Sequence, residues 1–166
     1  RITILACATV LLAVGQAAAH DGKKHSLTPS PTLAAKPPAL PFDVGGPFKL
    51  IDHNGEERTD RDFRGQFMLV FFGYANCRSI CPVGLRRMAA ALNALGPSGA
   101  KIQPLLISVD AANDTPDNMR DEVVKIHPRL LGLTGSGRQL KAAAKAYQVE
   151  SKEVSRTRDG KPVYAH

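Results

Sequence analysis

Two near-continuous apolar runs, residues 67–74 and 102–109, have strand length and little polar alternation. That pattern predicts strands covered on both faces, and hence helices on both sides of the sheet. Between them, Val83, Leu85, Met88, Ala89, Leu92 and Leu95 recur at helical spacing, with Pro82 in the first turn and Gly96-Pro97 ending the segment. After the second run, Asn113-Asp114-Thr115-Pro116 sets Thr115 to cap a helix that Pro116 begins and that reaches about His127. Residues 130–133 then read as a short strand and 136–147 as a third helix through Leu140, Ala143, Ala144 and Tyr147. Upstream, residues 48–52 and 57–59 flank His53-Asn54-Gly55, whose Asn-Gly predicts a short hairpin with His53 a solvated turn residue. The order strand, helix, strand, helix, strand, helix predicts an α/β fold with no internal repeat. Asp159-Gly160 is a second hairpin turn, and Pro162 to His166 read as the approach to another strand. A sheet ending there leaves a backbone edge and helix faces uncovered, so further strands and a closing helix are expected beyond His166.

The organisation is tripartite. Residues 1–19 hold an apolar run ending in Ala17-Ala18-Ala19, which predicts a secretory signal cleaved before His20, or a membrane anchor if it stays uncleaved. Residues 20–45 are a linker made semi-rigid by Pro29, Pro31, Pro37, Pro38 and Pro41. The folded domain spans 46–166. Cys7 lies inside the leading run and reads as an apolar signal residue. Its removal with a signal leaves two cysteines, an even number suited to an oxidising compartment, periplasmic or facing the periplasm. The formal net charge of +7 does not point to nucleic acid, because the basic residues are scattered and aromatics make up only 5%. A basic exported surface suits an acidic partner or an anionic membrane surface instead.

The chemistry concentrates at Cys77 and Cys81, which follow the first apolar run and open the first long helix. A helix start offers free N–H groups and partial positive charge, and Arg78, Arg86 and Arg87 add more, so thiolate is favoured there. Thiolates bind soft metals or exchange disulfides. The plainer alternative, a structural disulfide, constrains little over so short a loop. The position after a strand is also where α/β sheets carry their sites.

The segment Gly73-Tyr74-Ala75-Asn76-Cys77-Arg78-Ser79-Ile80-Cys81-Pro82 resembles the Sco/SenC family, thioredoxin-like copper-handling proteins that assist assembly of cytochrome c oxidase. Gly46-Pro47-Phe48, Phe63-Arg64-Gly65, Ile107-Ser108-Val109-Asp110, Asp114-Thr115-Pro116 and Leu133-Thr134-Gly135-Ser136 look like further landmarks in the same order. The resemblance implies a thioredoxin-like sandwich, and copper ligation by Cys77, Cys81 and a distal histidine that corresponds to His166. It implies a partner in the copper-bearing oxidase subunit or another copper acceptor. The family's usual Pro-Asp between the cysteines is Arg78-Ser79 here, which favours thiolate and a more easily reduced disulfide. Asp110 is retained and is expected to support the site or a docking partner, or else to cap a helix.

Two thiolates and an imidazole suit copper as Cu(I) or Cu(II), whereas structural zinc usually takes four protein ligands and no second cysteine pair exists. His20 and His25 read as tail residues and His127 as structural at a helix end. Met68, Met88 and Met119 sit at core positions. Two functions compete on the same thiols. One is a copper metallochaperone that needs His166, and the other is a periplasmic thiol-disulfide oxidoreductase that does not.

Overall fold

The alternating strands and helices are realised in the computed structural model, which describes residues 43–166. The expectations placed on residues 1–42, including the signal, Cys7, His20 and His25, lie outside the described residues. Among these residues, no helix is long and apolar enough to cross a membrane.

The elements are β1 (Lys49–Asp52), β2 (Glu57–Thr59), β3 (Phe67–Gly73), α1 (Ile80–Ala94), β4 (Ile102–Ser108), α2 (Pro116–Ile126), β5 (Leu131–Thr134), α3 (Gly137–Ala146), β6 (Lys152–Arg156) and β7 (Pro162–Ala165). Five strands form one mixed sheet in the order β2-β1-β5-β4-β3. Strands β3, β4 and β5 are parallel, while β1 runs antiparallel to both β2 and β5. This is the α/β architecture expected, a central sheet with helices on both faces.

Alternation along the central strand explains the two faces. Leu105 and Ile107 of β4 join Leu50, Phe72, Leu133, Leu140 and Ala143 in one core, on the α3 side. Leu106, one residue out of phase, joins Leu85, Met119 and Val123 on the side of α1 and α2. Gly132 of β5 lies against this second core. A Cβ there would stand 3.1 Å from Met119 Cε and from Val123 Cγ1, so α2 rides directly on the strand. Thr115 caps α2 as expected, its hydroxyl accepting the Asn118 N–H at 3.3 Å.

β3 is the last strand of the described sheet, yet both of its faces are covered as expected: Met68 and Val70 pack on the α3 side and Phe71 on the side of α1 and α2, while Phe67 at its start is 71% exposed. Two expectations are corrected. His53 is not a solvated turn residue. Its backbone N–H donates to the Gly132 carbonyl and its Nδ1 accepts the Gly132 N–H at 3.1 Å, so the ring ties the first hairpin to β5. Burial holds that imidazole below its usual range. Residues 162–165 are themselves a strand, paired antiparallel with β6 in a separate two-stranded sheet. Periodicity missed β6 because all five of its residues, Lys152 to Arg156, are exposed.

Candidate metal centre

β3 ends at Gly73, and the absence of a side chain there is a packing requirement: a Cβ would stand 3.3 Å from Cys81 Sγ and 3.1 Å from the Phe71 ring. The chain then turns at 74–77, closed by the Cys77 N–H donating to the Tyr74 carbonyl at 3.1 Å. Cys77 lies just ahead of α1 and Cys81 in its first turn, as the sequence predicts. Both are buried, at 5% and 2% exposure, and they are joined as a disulfide with Cα atoms 5.9 Å apart. The Cys81 N–H points at Cys77 Sγ at 3.3 Å, so one of the unpaired amides of the helix start already faces a sulfur. Once the bond is reduced, that donor favours negative charge on Cys77.

His166 arrives from the far end of the chain. Its Nε2 stands 3.8 Å from Cys81 Sγ across 85 positions of sequence. The hairpin β6–β7 that carries it docks on the turn through aromatic and polar contacts. The Tyr74 and Tyr164 rings meet edge to face at 5.3 Å, and the Tyr74 and His166 rings at 6.0 Å. Tyr164 N–H donates to Tyr74 Oη at 3.4 Å, and Lys161 Nζ donates to Asn76 Oδ1 at 3.2 Å.

The loop after β4 supplies two buried carboxylates, Asp110 and Asp114. Asp110 is fully buried and accepts from Asn113 Nδ2 through both oxygens and from the Tyr164 hydroxyl at 3.3 Å. Such burial leaves no surface for docking, and the cap of α2 is Thr115; Asp110 instead bonds Asn113 of its own loop and Tyr164 of the hairpin that carries His166. Burial, then the adjacent Asp110 charge, pushes the Tyr164 phenol up to about 12, so it is a hydrogen-bond donor at neutral pH. Asp114 accepts the Ala75 N–H and the Ser108 hydroxyl.

The structure thus gathers Cys77, Cys81 and His166, all three of the site residues predicted from sequence. It adds Tyr74, Tyr164, Ser108 and Asp114, which sequence reasoning did not single out. Asp114 and Tyr164 do stand inside stretches that drew attention, but their roles depend on contacts over 39 and 54 positions. Met119 is wholly buried in the core beneath α1 and α2, as expected. In this disulfide-bonded form, no group of three or more His, Cys, Asp or Glu among the described residues has the geometry to hold a metal ion.

The profile of the SCO1/SenC family matches residues 36–166. The chain belongs to the SCO1/SenC family. Protein SenC of Rhodobacter capsulatus is 37% identical over 145 residues, covering 87% of this chain and 66% of that protein. Mitochondrial protein SCO2 of Saccharomyces cerevisiae is 41% identical over 120 residues, 72% of this chain and 39% of its own length. The chain therefore spans less than two thirds of either relative. Among solved structures, Bradyrhizobium japonicum ScoI with copper bound superposes with a TM-score of 0.69 at 36% identity, covering 74% of this chain and 78% of that one. Yeast Sco1 with copper bound gives 0.62 at 39% identity, over 64% and 68% of the two chains. The thioredoxin-like fold of this SCO1/SenC member follows from these superpositions together with its own sheet and helices.

Proposed function

We propose that this protein is a copper metallochaperone, binding one copper ion through Cys77, Cys81 and His166 and assisting metallation of the binuclear copper site of cytochrome c oxidase. The reading is carried by one observation, the approach of His166 Nε2 to 3.8 Å from Cys81 Sγ. A sulfur-only site has no use for an imidazole delivered by a separate hairpin. Copper as cargo also fits the donor set, since Cu(I) prefers thiolates and imidazole suits both Cu(I) and Cu(II). The copper-bound relatives named above support the same choice.

Loading requires the disulfide to open. A dithiol reductant gives two electrons and two protons to the S–S bond and leaves as its own disulfide, yielding two thiols whose protons Cu(I) then displaces. The Cys81 N–H stabilises the developing thiolate on Cys77. Three protein ligands leave the ion exposed to an incoming acceptor, which suits release better than a closed four-ligand site. The acceptor is the copper-bearing oxidase subunit or another copper-accepting protein. The place of action is the periplasm, with residues 1–19 an export signal or anchor and 20–45 a tether.

A second reading, thiol-disulfide oxidoreductase, is favoured by the closed Cys77–Cys81 bond. His166→Ala in the full-length protein separates the two. The copper reading expects loss of Cu(II)-thiolate absorption and weaker Cu(I) retention, with disulfide reduction nearly intact. Parental copper binding in that variant, alongside loss of both activities in Cys77→Ser, removes the three-ligand site and leaves the oxidoreductase.

A further inference from the structure

Asp114 is a buried carboxylate, 4% exposed, that copper ligation leaves unused. Both of its oxygens face the Ala75 N–H, at 3.2 and 3.1 Å, and Oδ2 accepts a hydrogen bond from the Ser108 hydroxyl at 2.6 Å. Its main-chain carbonyl accepts the Thr134 hydroxyl. One residue therefore links the segment after β3 to the C-terminal ends of β4 and β5. Ala75 lies in the middle of the turn that ends on Cys77, two residues from the sulfur. Asp114 is thus the side chain that anchors this turn to the sheet.

The negative charge is the feature that needs explaining. Burial pushes the carboxyl up to about 6, against the hydrogen bonds from Ser108 and Ala75, and Asp110 and Glu122 add like charge. The groups facing it are the Asp110 carboxylate from the loop after β4, Glu122 from α2, Ser108 from β4, and the Ala75 N–H. A neutral amide would take the same N–H without the burial penalty on a charge. Perturbed carboxylates held at a penalty cluster where chemistry uses them.

We propose that Asp114 is a positioning residue that biases the dithiol toward its disulfide form by pinning the turn before Cys77 through a charged hydrogen bond to the Ala75 N–H. This rests on the reading of Cys77 and Cys81 as the functional dithiol, and it supplies that site with a control over when it opens for copper. In the step concerned, a dithiol reductant gives two electrons and two protons to the Cys77–Cys81 bond and leaves as its own disulfide. A neutral side chain still accepts the Ala75 N–H but through a weaker, uncharged hydrogen bond, so the turn is held less firmly and a restraint that favours ring closure is relaxed. Neutralising Asp114 therefore runs toward the dithiol.

The test equilibrates the metal-free full-length protein with dithiothreitol buffers between about pH 5 and about pH 8, counting free thiols by alkylation and mass. Asp114→Asn is expected to move the equilibrium about tenfold toward dithiol near pH 7.5, and not at all near pH 5, where the parent carboxyl is itself protonated. An unchanged equilibrium, or a shift of equal size at both pH values, overturns the proposal, the latter because a purely structural role has no pH signature. Should Asp114→Asn fail to fold, the unsubstituted protein decides the matter. Its Ala75 amide shifts should titrate with one inflection near 6, and a flat Ala75 resonance overturns the proposal. Copper enters neither measurement, so failure of the copper reading, seen in His166→Ala, stays distinct from failure of this one.

Discussion

Asp114→Asn should make the oxidised protein more stable at neutral pH, and the size of the gain can be worked from the raised carboxyl. The folded-state value of about 6 stands above 3.8 for the unfolded chain. Between those values the folded state holds a proton that the unfolded state has released, so stability falls as pH rises through the window. A shift of about two units at about 1.4 kcal/mol each gives about 3 kcal/mol, present below 3.8 and lost above about 6. Asparagine mimics the protonated carboxyl, keeping an oxygen for the Ala75 N–H while removing the charge. The expected difference between variant and parent is therefore near zero at about pH 4 and about 3 kcal/mol in favour of the variant at about pH 7. Taking the difference matters because other groups titrate nearby. His53, held low by burial, loses stability as pH falls below 6.5, in the opposite sense. Asp52, disfavoured by burial but held below 3.8 overall by Arg58 and the N–H groups of Glu56 and Asn54, acts only below the window. Urea unfolding of both proteins at the two pH values is the assay. A variant less stable than the parent at neutral pH, or a difference that does not change with pH, would refute the reasoning.

Two further substitutions probe the scaffold. Gly132→Ala should destabilise the protein by about 1–3 kcal/mol in thermal or urea unfolding, because the new methyl meets Met119 Cε and Val123 Cγ1 at 3.1 Å and Met119 Cβ at 3.2 Å, and both residues are wholly buried; a neutral result would mean that α2 can lift off β5 freely. Tyr164→Phe removes the hydroxyl bond to Asp110, worth about 1 kcal/mol, and should raise amide exchange in β6 and β7 while weakening Cu(I) retention; unchanged exchange in the hairpin would show that the ring contact with Tyr74 alone holds it.

Legibility in the sequence followed the periodicity of burial. β4 could be read because it is covered on both faces, and α1 and α2 because their apolar spacing and their Pro and Thr signals agree. The dithiol could be read for a local reason, since strand, turn and helix start are contiguous and place both sulfurs without any distant contact. β6 is the counterexample: with every residue exposed, it has no apolar face for a pattern to mark. His53 failed for a related reason, because a turn sequence predicts the turn but not that the imidazole will bond to Gly132, 79 positions away.

His166 and the two aspartates divide along the same line. The place of His166 in the site was expected from family resemblance alone, since nothing periodic connects it to Cys81. What brings it there is the docking of an exposed hairpin by Tyr74, Tyr164, Asn76 and Lys161, contacts that are aromatic and polar and leave no hydrophobic signature. Asp110 and Asp114 stand four residues apart in one loop and look alike in sequence, yet one bonds the hairpin that carries the histidine and the other the turn that carries the cysteines. The site is therefore assembled from two separately supported pieces, each held by its own buried carboxylate. A change in the charge of Asp114 acts on the turn that leads to Cys77 while leaving the Asp110 bond to the histidine hairpin in place, which is the physical basis for expecting Asp114→Asn to move the thiol–disulfide balance and His166→Ala to move copper binding.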